Sequence, residues 1–144
     1  MKKIVVTLAI AISSLGAFAS EGNVAKKVLD AFQSEFITAK EVEWTTGENY
    51  YQARFLYNDR YVQAYYDLDG ELLGMSRYLS PLDLPLGLQN NLKKNYEGYW
   101  ISDLFEVVRG EDTHYYVTIE NGDSKIVLQS SGNSWSSYKK VKKS

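Results

Sequence analysis

The chain has 144 residues, among them 12 Tyr, one His and no Cys. That length suits a single domain, and 44% hydrophobic with 24% charged residues is a globular composition. Without Cys there are no disulfides, thiolate metal sites or cysteine nucleophiles, and one His is too few for a His-rich metal site. The formal net charge of −2 argues against nucleic acid as a partner, because phosphate contacts demand a basic face.

The chain opens with Met1-Lys2-Lys3, then an apolar stretch from Ile4 to Phe18, then Ala17-Phe18-Ala19. A positive start, an apolar middle and an A-x-A ending make a secretory signal peptide. Residues 1–19 are therefore expected to be a cleaved leader, with the mature chain starting at Ser20 in the periplasm or outside the cell. The stretch is shorter than the ~20 residues a span needs, and no second apolar run follows. No transmembrane segment is expected after cleavage. There is no Cys at the cleavage point, so lipoprotein anchoring is excluded. Removing Lys2 and Lys3 takes the formal charge from −2 to −4.

Val24, Val28, Phe32 and Phe36 recur every four residues, the apolar stripe of a helix. Leu84, Leu88, Leu92 and Tyr96 repeat the stripe sixty positions later, with Asp83 as candidate N-cap and Pro85 in the first turn. Strand-like runs follow each helix. The first set is Glu41 to Trp44, Tyr50 to Tyr57, Tyr61 to Leu68 and Leu72 to Tyr78. The second is Tyr99 to Val108, His114 to Glu120, Lys125 to Gln129 and Ser134 to Val141. Asn58-Asp59, Asp69-Gly70, Gly110-Glu111-Asp112, Asn121-Gly122-Asp123 and Ser131-Gly132-Asn133 break them as turns. Gly70 matches Gly132 in place, and Trp44 matches Trp100.

The expected fold is α+β. It consists of two tandem units, each one helix plus about four antiparallel strands, with the helices packed on one face of the sheet. Residues 20–144 then form one domain of two repeats, about 22–80 and 81–141.

Period-two alternation sorts the strand residues onto faces. Val62, Ala64, Tyr66 and Leu68 oppose Tyr61, Gln63, Tyr65 and Asp67. Tyr51, Ala53, Phe55 and Tyr57 oppose Tyr50, Gln52, Arg54 and Leu56. Tyr115, Val117 and Ile119 oppose His114, Tyr116 and Thr118. The more apolar sets belong under the helices. The open face then carries Arg54, Tyr61, Gln63, Tyr65, His114 and Tyr116 as candidate partner-binding residues. Such a face fits either a solvated pleat, where Tyr and Thr sit well, or an interface, where Tyr is enriched.

Catalytic patterns are weak. A Ser–His–Asp triad would need His114, and there is no G-x-S-x-G elbow. Asp67, Asp69 and Glu71 surround a turn, where acidic residues are expected, and the spacing fails the EF-hand pattern because position twelve is Tyr78. No catalytic residue, metal site or cofactor is expected. Lys139, Lys140, Lys142 and Lys143 read as a solvated basic terminus.

Phe36, Ala39, Val42 and Trp44 follow the pattern F-x-x-A-x-x-V-x-W. Then come Tyr51-Gln52-Ala53-Arg54-Phe55 and the run from Ala64 to Leu72, followed by Leu84-Pro85, Tyr96 and Ile101. This ordered set resembles the PepSY-like, β-lactamase-inhibitor-like family of exported bacterial proteins, from about Val24 to Tyr138. Ile37 departs from the family, which often has Pro there. The resemblance implies two tandem helix-plus-sheet units and a non-enzymatic binding or inhibitory role, with a protein partner such as an envelope hydrolase or peptidase. It also implies that Trp44, Ala53 and Phe55 are core. The inhibitor relatives carry disulfides and this chain has no Cys, so inhibition of a β-lactamase does not carry over. A small-ligand or glycan carrier is the alternative, and a carboxylate-dependent hydrolase a weaker one.

Overall fold

The computed structural model describes residues 17–19 and 21–143. The expected leader, residues 1–19, lies outside the described residues except for Ala17–Ala19. The fold is α+β, with two α-helices and antiparallel strands among the described residues. The chain divides into two compact units between Ser76 and Arg77.

In the first unit, β1 (Ala17–Ala19) precedes α1 (Lys26–Glu35), β2 (Lys40–Thr46), β3 (Tyr51–Tyr57) and β4 (Arg60–Tyr66), and β5 (Leu72–Tyr78) reaches the division. Each strand pairs antiparallel with the next, from β1–β2 to β4–β5. Register sets one row, Trp44–Ala53–Ala64–Met75, on the face toward α1. Ala53 and Ala64 put little bulk at its centre. Phe32 from α1 fills that space, its ring centre 5.0 Å from Phe55 and 5.3 Å from Trp44, both edge-on. Phe36 lies 4.8 Å from Phe55. Val24, Val28 and Tyr66 complete this core. Trp44, Ala53 and Phe55 are buried in it, as the resemblance implied. Full burial of a ring such as Phe55 contributes about 1.5–3 kcal/mol, and each edge-on pair adds about 0.5–1.5 kcal/mol.

The turns follow their residues. Asn58 and Asp59 both take positive φ (51° and 65°), the requirement of a two-residue hairpin whose twist suits the strands. Gly70 has φ 91° and sits so close to α1 that a Cβ there would lie 2.9 Å from the Lys27 carbonyl oxygen. Asp67 Oδ1 accepts from the Asp69 and Glu71 amides, both at 2.9 Å. This Asx turn ends β4 at Tyr66, so Leu68 is exposed and does not extend the apolar face of the strand.

In the second unit, α2 (Leu86–Asn95) is followed by β6 (Trp100–Arg109), β7 (Asp112–Glu120), β8 (Ser124–Ser131) and β9 (Ser134–Lys142), again antiparallel in sequence order. The row Leu104–Val117–Leu128 lies on the face toward α2. With Leu84, Leu88, Ile119, Ile126 and Trp135 it makes an aliphatic core. The Trp135 indole donates to the Leu88 carbonyl at 3.1 Å, pinning the last strand to the helix. The core tryptophan of this unit is thus Trp135. Trp100, which the sequence pairs with Trp44, is 53% exposed under the Lys143 ammonium.

Asp83 is not the N-cap of α2. Pro81 follows Ser80, so the chain first closes a short 3-10 turn at Pro81–Asp83. There Ser80 accepts from the Leu82 amide and Asp83 accepts from the Ser80 amide, a reciprocal capping box. Pro85 occupies the N-cap position of α2 itself.

Candidate functional site: an arginine–tyrosine patch on the helix-free face

The strand face away from α1 carries two rows. One is Thr45–Gln52–Tyr65–Gly74 and the other Glu43–Arg54–Gln63–Ser76. Leu56 faces Tyr61 beyond them. Of the six candidate residues, the first unit holds four, and they divide by burial.

Gln63 and Tyr65 are buried, which corrects their placement on an open surface. Tyr65 faces Gly74, which has no side chain to compete for space, and its ring packs 6.3 Å from Tyr50. Its hydroxyl shares a 3.4 Å hydrogen bond with Ser76, whose hydroxyl donates to Gln63 Oε1 at 3.0 Å. This chain satisfies the buried polar groups internally.

Arg54 and Tyr61 remain accessible and touch each other. The guanidinium lies 4.0 Å over the Tyr61 ring, and its Nη1 lies 3.7 Å from Glu43 Oε1. The Tyr61 hydroxyl donates to Glu41 Oε1. That contact depends on a bulge between Lys40 and Glu43, where Glu41 takes φ 53°. The hydrogen bond to Glu41, with minor help from burial and the charge of Glu41, holds the Tyr61 phenol above its ordinary pKa. The patch is therefore a fixed cation on an aromatic face, braced by two carboxylates. The Lys40-Glu41-Val42-Glu43 run carries the acidic spacing in the sequence. The bulge that turns Glu41 toward Tyr61 leaves no sequence signal.

The second unit holds His114 and Tyr116. Tyr116 is only 1% exposed, again a correction. It stacks on its cross-strand neighbour Phe105 (5.3 Å, 15°) and meets Tyr138 edge-on at 5.4 Å. Burial, with the nearby Tyr138, pushes its phenol up to about 12. His114 faces Val107 and is half-buried. Within the first unit the structure thus brings Arg54 and Tyr61 together, with the buried Gln63 opposite Arg54 in register.

Elsewhere in the second unit, Leu92, Lys93, Tyr96, Tyr99, Ile101 and Ile119 help line an open groove of about 400 Å³ at the C-terminal end of α2. Tyr96 and Tyr99 meet edge-on in its wall at 6.3 Å. Among the described residues no group of His, Asp and Glu is arranged to hold a metal ion. No helix among them is long and apolar enough to cross a membrane.

These features define an α+β protein whose helices pack on antiparallel strands and whose helix-free strand surface carries a polar, aromatic patch. The fold matches the crystal structure of a BLIP-like protein from Bacteroides fragilis, with TM-score 0.71 and 20% identity, over 83% of this chain and 86% of that chain. It also matches DUF2874 family proteins from Bacteroides ovatus and Bacteroides uniformis. The first has TM-score 0.74 and 17% identity, over 83% of this chain and 87% of that one. The second has TM-score 0.73 and 17% identity, over 83% and 89%. No family model matches the chain, and no curated protein does. The chain has the BLIP-like fold, in line with the resemblance read from its motifs.

Proposed function

We propose that the chain is an exported, non-enzymatic binding protein that grips a protein partner, an envelope hydrolase or peptidase, through the helix-free face of its strands. In this reading the leader over residues 1–19 delivers it to the periplasm or the medium. In each of two tandem repeats, about 22–80 and 81–141, the helix then covers one face of the strands and the other face is left for binding.

One observation carries the reading: Arg54 and Tyr61 are accessible and already held in place. Arg and Tyr are the residue types that dominate interface energetics. An arginine fixed over a ring and beside a carboxylate loses less rotamer freedom on binding than a free one. The test is affinity capture from periplasmic extract with the exported protein and with its Arg54→Ala/Tyr61→Ala double variant as baits. The partner should be lost from the variant, whose unfolding free energy should stay within about 1 kcal/mol of the parent because the contacts removed are at the surface. Equal capture by both baits overturns the reading.

A second reading, a carrier of a small ligand or glycan, is favoured by the groove with Tyr96 and Tyr99 in its wall. A glycan that raises the melting temperature of the parent but not of Tyr99→Ala would support it. No shift with envelope glycans or peptides would remove it.

A further inference from the structure

β1 lies on the outer edge of β2, with Ala17 opposite Thr46, Phe18 opposite Thr45 and Ala19 opposite Trp44. These three residues are also the A-x-A motif that marks the leader for cleavage. The same backbone thus ends the leader and pairs with the edge of β2. Cleavage after Ala19 removes β1 and leaves the β2 edge unpaired at Trp44–Thr46.

Proteins blunt open edges with bulges, charges or short length. β2 is blunted on one side only. The bulge between Lys40 and Glu43, with charged residues at 40, 41 and 43, closes that end. Trp44–Thr46 carries no charge and keeps a regular ladder to β3, through Ala53, Gln52 and Tyr51.

We propose that the exported chain takes an extended segment of a partner protein at this edge, antiparallel to β2, in the place of β1. The inference rests on the cleavage reading above. Main-chain hydrogen bonds would supply affinity, and alternate side chains would supply selectivity. The segment is small–any–small in its three paired residues. Positions opposite Trp44 and Thr46 fall on the face toward α1, which is already filled with aromatic side chains. The middle position falls in the row of Thr45, Gln52, Tyr65 and Gly74. Glu43 precedes the open stretch and Glu48 follows it, both exposed, so a Lys or Arg on either side of the triplet meets a carboxylate.

The test uses two exported proteins. One is cleaved after Ala19. The other is delivered by a different leader so that Ala17–Ala19 stay attached. The probe is the synthetic peptide acetyl-Lys-Ala-Phe-Ala-Lys-amide, titrated while the backbone amides are followed by NMR. The first protein should show saturable shifts at Trp44, Thr45 and Thr46. Binding should be about tenfold or more weaker to the second protein, whose edge is filled by its own strand. It should weaken similarly when the peptide is N-methylated at all three triplet residues, since the main-chain hydrogen bonds it donates are then lost. Equal binding of the N-methylated peptide, or no saturable binding to the first protein, overturns the proposal alone. Dimerisation through β2 without peptide binding assigns the edge to a second copy and also overturns it. A natural N-terminus that retains Ala17–Ala19, read by mass spectrometry, overturns the cleavage reading together with the proposal.

Discussion

The units on either side of the Ser76–Arg77 division each pack one described α-helix on antiparallel strands, with different chemistry. Before it, Phe32 of α1 and Phe36 at its end pack on Trp44 and Phe55 over two alanines, two of their four ring pairs edge-on and two tilted. After it, α2 rests on Leu, Ile and Val, with Trp135 tied to the helix backbone. The helix-free surfaces differ as well. In the first unit a hydrogen-bonded chain of Tyr65, Ser76 and Gln63 lies buried beside an accessible Arg54–Tyr61 pair. In the second, Tyr116 lies buried against Phe105 and Tyr138. Helix-on-strand packing therefore places each core, and side-chain choice decides how much of each helix-free surface stays accessible.

The cores allow the largest test of this contrast. Phe55→Ala removes a ring with three aromatic neighbours and should cost about 3–5 kcal/mol in urea unfolding. Leu128→Ala in the aliphatic core should cost about 2–5 kcal/mol, toward the lower end if the smaller side chains close the gap. A Phe55→Ala cost below 1 kcal/mol would remove the aromatic account of the first core.

The turns give the next largest difference. Gly70→Ala combines positive φ with a Cβ 2.9 Å from a backbone carbonyl, whereas Gly132 has φ 61° and open space around its Cβ. Gly132→Ala should cost about 1–2 kcal/mol, the ordinary expense of a left-handed residue, and Gly70→Ala clearly more. Equal melting temperatures for the two variants would show that the turn does not press on α1.

A smaller effect concerns Asp103 in the second unit. Burial raises its carboxyl above the ordinary value, opposed by the Leu104 amide and Lys125. A group whose pKa rises on folding favours the folded state when protonated. Stability from this group is full below the ordinary carboxyl value of 3.8 and declines as pH rises through the higher folded value. Asp103→Asn keeps an acceptor for the Leu104 amide and should raise the melting temperature slightly at pH 7, with the gain vanishing below pH ~4. A destabilised variant at pH 7 would contradict the assignment.

Much of this was legible in the sequence because it depends on local period. The four-residue stripes mark both helices, alternation marks the strands, and Asn58-Asp59 marks a hairpin. Side-chain period also assigned Ala53, Phe55, Val117 and Ile119 to the helix faces. It could not show which helix-free residues are covered, because that depends on cross-strand register: Tyr65 opposite Gly74, and Tyr116 opposite Phe105. The bulge at Glu41 was silent for the same reason. Trp100 matches Trp44 in position but not in burial, because a positional match does not tell which face of a strand a residue takes, and Trp135 fills the core of that unit.

The most direct test of the central claim compares the two helix-free surfaces in one capture experiment. Three exported baits meet the same periplasmic extract: the parent, Arg54→Ala/Tyr61→Ala, and His114→Ala, all first shown to melt cooperatively. The account predicts a partner bound by the parent and by His114→Ala and lost from the Arg54/Tyr61 variant. Retention by the folded Arg54/Tyr61 variant, with loss from His114→Ala, would contradict it.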